Sequence, residues 1–140
     1  MAETWSEAAG GLRLGASING DVLTFVLQNV GDRPLRVLSA VDDDLDWYSV
    51  RLDGRVLAFV TDRDESAVDI ADLAPGGSLS HAVDLAEWSG RPLNGGATPG
   101  PGTYPIECLY EVDPGTAAAF GDGLWTGSLR TPPLTWRRPG

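Results

Sequence analysis

Residues 47–61 read Trp-Tyr-Ser-Val-Arg-Leu-Asp-Gly-Arg-Val-Leu-Ala-Phe-Val-Thr. Tyr48, Val50 and Leu52 fall on one face of an extended chain, because side chains in a strand alternate with a period of two. Asp53-Gly54 then supplies two residues that adopt positive φ at little cost. A two-residue turn of that kind matches the right-handed twist of the strands it joins. The segment therefore predicts a hairpin, with strands over 47–52 and 55–61.

The same period extends outward. Upstream, 11–18, 22–28 and 35–41 are predicted strands, separated by Asn19-Gly20 and by Gly31-Asp32-Arg33-Pro34. In 22–28, Leu23, Phe25 and Leu27 take one face and Val22, Thr24 and Val26 the other. Both faces are largely apolar, which places this strand in the middle of a sheet. Downstream, an edge strand is expected around 67–70. Pro75-Gly76-Gly77 turns the chain into 79–85, where Leu79, His81, Val83 and Leu85 share a face.

Residues 90–105 hold five Gly and four Pro and read as one long loop, the kind of segment that often carries function. Tyr104, Ile106, Cys108 and Tyr110 follow as a one-faced strand. Segments 124–130 and 134–136 complete the set, and Pro132-Pro133 between them makes the last one an edge or a tail. Residues 137–140 are expected to be disordered. Helix is expected in two short places. Thr4-Trp5-Ser6-Glu7 fits a capping box within an N-terminal segment, 1–10, and 116–120 fits a helical turn. Seven to nine short strands, with no βαβ unit and no internal repeat, define an all-β, single-domain antiparallel sandwich over 11–136. A small closed barrel is the alternative.

Composition narrows the function classes. The 140 residues include ten basic and twenty acidic side chains, for a net charge of −10, and every basic one is Arg. Nucleic acids and anionic membranes need a basic patch, so neither is an expected partner. Apolar residues are 42% of the chain, enough for a core, and no apolar run is long enough to span a bilayer. The first ten residues lack the basic and apolar regions of a secretory signal, so the expected location is the cytoplasm. Cys108 is the single cysteine, which leaves no intrachain disulfide and no cysteine-built zinc site.

Three turns carry a resemblance. Asn29-Val30-Gly31-Asp32-Arg33-Pro34-Leu35, Leu73-Ala74-Pro75-Gly76-Gly77-Ser78 and Gly102-Thr103-Tyr104-Pro105-Ile106 occur in this order. They resemble the turns of bacterial immunoglobulin-like sandwiches of the intracellular proteinase inhibitor type, over roughly residues 12 to 130. The resemblance implies an immunoglobulin-like fold and a proteinase as one partner. It rests on turn chemistry, which specifies fold better than function. Tyr104 is placed to bury its ring and send its hydroxyl back to a loop carbonyl, as in a tyrosine corner.

The candidate sites are few. Asp42, Asp44 and Asp46 stand at positions 1, 3 and 5 of a calcium-loop pattern, with Asp53 at position 12. Trp47 occupies the position that needs Gly, so a true EF-hand is excluded and calcium is the one metal considered; no cofactor is expected. His81, the one histidine, sits on an apolar register, and a Cys108/His81 nucleophile pair is weighed against an inert buried thiol. Glu107 and Glu111 share a strand face about 13 Å apart, too far for an acid/base pair on their own. Five Trp stand against three Tyr and three Phe. Trp47 is out of register with its strand and Trp88 follows a strand end, so both are expected at the surface.

These observations lead to a non-catalytic protein-interaction module, with Trp47, Trp88, Tyr104 and the 90–105 loop as contact surface and a protein as partner. The alternatives are a sandwich that stacks a carbohydrate or small molecule on the same aromatics, and a small enzyme whose carboxylates come from different strands.

Overall fold

The computed structural model describes residues 3–41, 45–52, 54–59 and 68–139. Its strands are antiparallel and lie in open sheets, which bears out the all-β sandwich over the barrel. The first sheet runs β1 (Thr4–Trp5), β2 (Leu12–Asn19), β3 (Val22–Asn29) and β8 (Ser78–Asp84). The second runs β6 (Arg55–Phe59), β5 (Leu45–Leu52) and β9 (Gly102–Val112). Beyond β9, β10 (Gly127–Arg130) pairs with its C-terminal half and β11 (Leu134–Arg138) with its N-terminal half. A two-stranded ribbon, β4 (Leu35–Val41) with β7 (Val68–Leu73), completes the set.

The alternating positions read from the sequence form the core. Leu23, Phe25 and Leu27 of β3 are fully buried, and β3 is central, between β2 and β8. In the β5–β6 hairpin, Leu52 pairs with Arg55 across the two-residue turn, and Gly54 has φ +83°. Phe25, Tyr48, Phe59 and Tyr110 pack as one aromatic cluster, with Tyr48 and Tyr110 4.9 Å apart and Phe25 and Phe59 5.7 Å apart between ring centroids.

Asn29 explains why two of the turn motifs go together. Its Nδ2 donates to the carbonyls of Arg33 and Leu73 at 2.7 and 2.9 Å, and its Oδ1 accepts from Gly31 N at 2.9 Å. Its backbone pairs with Gly76 and Gly77, at 2.9 Å each. One fully buried amide side chain thus fixes both the 29–35 and the 73–78 turns.

Three expectations are corrected. The capping box at Thr4–Glu7 does not start a helix: Thr4 and Trp5 pair with Ala16 and Gly15 as β1. Trp5 instead gains a seat over Gly15, where an added Cβ would stand 2.7 Å from its ring atoms. The 90–105 loop is shorter than expected, because β9 begins at Gly102 and Pro92–Asn94 forms a 3-10 turn. It is preceded by α1 (Leu85–Ser89), where Asp84 caps Glu87 N, a helix too short to show a period. Finally, the C-terminal segment is paired strand: Arg137 and Arg138 of β11 face Thr103 and Gly102, and Trp136 is fully buried. The helical turn expected at 116–120 is present as α2 (Pro114–Phe120), capped by the Asp113 carboxylate on Thr116 N.

Candidate functional site

Trp47 and Trp88 are not surface residues. Both are only 9% exposed. Trp47 leaves the strand alternation because pairing between β5 and β6 shifts register between Leu45 and Ser49. Phe120 of α2 then meets it edge-on, 6.0 Å away between centroids. Trp88 stands edge-on against Phe59 at 5.7 Å, with the Arg91 guanidinium 4.0 Å over its ring. Neither ring is available to a partner.

Tyr104 sends its hydroxyl back to a loop carbonyl, as expected. It is half-buried against Trp136, and its hydroxyl donates to Gly100 O at 2.7 Å. It lines an open cleft of about 320 Å³ together with Leu52, Arg55, Ala97, Thr98 and Pro99. One wall is the hairpin end of β5 and β6, the other the remainder of the long loop.

That loop is tied down along its length. Asn94 holds Ala58 through both backbone groups at 2.9 Å. Thr98 Oγ1 donates to Ala86 O at 3.2 Å, and the Arg138 guanidinium donates to Pro99 O. The cleft is therefore preformed. Arg55 is exposed at its rim and has no ion-pair partner among the described residues. Among the described residues, Arg36 pairs with Asp72 at 3.2 Å with both side chains exposed.

A second open groove, of about 340 Å³, runs past Trp5, Glu7, Glu107, Arg130 and Pro133. The Trp5 ring carries the Arg13 guanidinium 3.8 Å from its centroid, so the protein itself occupies a face that a sugar would stack on. Glu107 is held by Arg130, and Glu111 is exposed two steps further along the strand face.

The remaining sequence candidates separate. Cys108 is fully buried, and burial pushes its thiol up to about 12, so it is inert at neutral pH. His81 is half-buried and bonds not to Cys108 but to Ser39, whose Oγ is 3.0 Å from Nε2. Nothing in the local sequence links Ser39 to His81, which lies 42 residues away. Of the calcium pattern, Asp46 is exposed on β5, and Asp42, Asp44 and Asp53 lie outside the described residues. Among the described residues, no three His, Cys, Asp or Glu side chains cluster as a metal site, and no helix is long and apolar enough to cross a membrane.

Comparison with protein families, with curated proteins and with solved structures finds no match. The resemblance to immunoglobulin-like inhibitors stays on the three turns that carry it.

Proposed function

We propose that this chain is a protein-interaction module that grips a carboxylate-bearing segment of its partner in the Arg55–Tyr104 cleft. The observation that carries the reading is a guanidinium without an ion-pair partner among the described residues, beside a half-buried tyrosine, in a cleft whose far wall is pinned at Asn94, Thr98 and Pro99. Arg offers a planar fork that takes a carboxylate through two parallel hydrogen bonds. The Tyr104 ring supplies apolar contact at little entropic cost. A chain of net charge −10 repels strongly acidic surfaces, so a single carboxylate, such as a chain terminus, fits better than an acidic tract. The pinned loop favours affinity, because little order has to be created on binding.

The test is an NMR titration with short peptides that end in a free carboxylate, alongside the same peptides amidated. The free acids should shift the resonances of Arg55, Thr98 and Tyr104, and amidation should remove the effect. Arg55→Ala and Tyr104→Ala should each weaken binding while the far-ultraviolet spectrum stays unchanged. Shifts at Trp5, Glu7 and Arg130 with sugars, and none with peptides, would favour the carbohydrate-binding alternative. A proteinase bound through this cleft would support the function that the resemblance implies.

A further inference from the structure

Pairing between β4 and β7 runs in register from Leu35↔Leu73 to Leu38↔Ile70 and resumes at Ala40↔Asp69, which leaves Ser39 as the extra residue of a bulge. Bulges re-aim a side chain that plain alternation would send the other way, and they recur beside active sites. Here the bulge buries Leu38 and Ser39 together. Ser39 Oγ is thereby brought to 3.0 Å from Nε2 of His81 on β8. Asp69 shares a face of β7 with Ala71 and Leu73, and its charge acts on the same imidazole. The Tyr48 ring of β5 stands edge-on to His81 at 5.5 Å, and its buried hydroxyl has no hydrogen-bond partner among the described residues.

Three strands thus bring a hydroxyl, an imidazole and a phenol to one place. The hydroxyl–imidazole distance is that between an activated nucleophile and its base. Asp69, exposed on β7, makes no hydrogen bond or ion pair with the imidazole and contributes only its charge nearby. The geometry points to Ser39 as a nucleophile, with His81 as its general base, that accepts an acyl group from esters with a good leaving group.

The chemistry closes without a further reactant except water. Ser39 Oγ bonds to the ester carbonyl carbon while its proton passes to His81 Nε2. The carbon–oxygen bond to the leaving group then breaks, and the leaving oxygen takes the proton from His81. Water attacks the acyl-serine by the same route, releasing the carboxylic acid and restoring Ser39.

The 140-residue chain with p-nitrophenyl acetate provides the test. A burst of p-nitrophenol is expected, with one acetyl group per chain mapped to Ser39 by peptide mass. Ser39→Ala should abolish the label, and His81→Gln should slow acylation about 10²-fold or more, the range of general-base catalysis. The acylation rate should rise with pH through a single ionisation that His81→Gln removes. Because His81→Gln removes an inter-strand contact as well, Ser39→Cys serves as a second probe. Its thiol should alkylate with iodoacetamide far faster than Cys108 in the folded protein. An acetyl group on other residues, an equal burst from Ser39→Ala, or a Cys at 39 no faster than Cys108 would overturn the proposal.

Discussion

Asn94 closes the open edge of β6 by pairing with both backbone groups of Ala58. Its Oδ1 accepts from Ala58 N and its Nδ2 donates to Ala58 O, each at 2.9 Å. The same Nδ2 donates to Trp88 O at 2.8 Å. An edge strand offers unpaired N–H and C=O groups that invite another chain to pair. Here one amide side chain stands in for a neighbouring strand, and it anchors the loop that walls the Arg55–Tyr104 cleft.

Replacing Asn94 with Ala leaves the Ala58 and Trp88 groups without partners. At roughly 1 kcal/mol for each lost bond, about 2–3 kcal/mol of stability should go. Urea denaturation measures it, and amide exchange at Ala58 should quicken in native conditions. Asn94→Asp keeps the acceptor and loses the donors, so it should fall between. A change within about 0.5 kcal/mol of wild type, the usual surface scatter, would mean that water replaces the amide freely.

Two neighbouring phenols should respond in opposite ways. Tyr110 donates to Leu38 O at 2.6 Å, whereas the buried Tyr48 hydroxyl has no partner among the described residues. Tyr110→Phe strands a carbonyl and should cost about 1–2 kcal/mol. Tyr48→Phe removes an unsatisfied buried hydroxyl and should leave stability equal or higher by about 1 kcal/mol. Thermal unfolding of the two variants decides it, and a loss at Tyr48→Phe would reveal a partner for that hydroxyl.

What the sequence reading could reach follows the range of each interaction. Leu23, Phe25 and Leu27 declare their face through spacing alone, and the structure buries all three. Tyr104 was legible because its hydroxyl bonds only four residues back, to Gly100. Trp47 was misread because its burial depends on a register shift and on Phe120, far along the chain. The same holds for β1, where a local capping signal lost to a seat over Gly15. Ser39 and His81 meet only through a bulge and a contact between distant strands, and periodicity contains neither.

The seat of Trp5 on Gly15 gives a third prediction. A Cβ at residue 15 would stand 2.7 Å from two Trp5 ring atoms, well inside contact distance. Gly15→Ala should push the ring off and release β1, at a cost of about 1–3 kcal/mol, the usual range for overpacking. Trp fluorescence should report a ring moved towards water. In a Trp5→Ala background the same substitution should cost much less, since the clash has lost one partner. Equal cost in both backgrounds would place the strain in the β2 backbone instead.

His81 sets a pH dependence of defined sign. Burial lowers its pKa from the ordinary histidine value, and the charge of Asp69 on β7 opposes that shift without cancelling it. The other groups facing the ring are the Ser39 hydroxyl and Tyr48, whose own pKa is raised by burial, so both are neutral throughout the range. The unfolded chain holds the imidazole near its free value of about 6.5. As pH falls through that value, the unfolded state takes up a proton before the folded state does. The contribution of His81 is therefore fully present above about pH 6.5, declines as pH falls towards the lower folded value, and levels off below it. Urea midpoints of wild type and His81→Gln, compared between about pH 7.5 and about pH 5.5, isolate this effect from the carboxylates. The wild type should lose more stability than the variant over that interval. If it instead gains on acidification relative to His81→Gln, the attraction of Asp69 outweighs burial, and the folded imidazole is the more basic one.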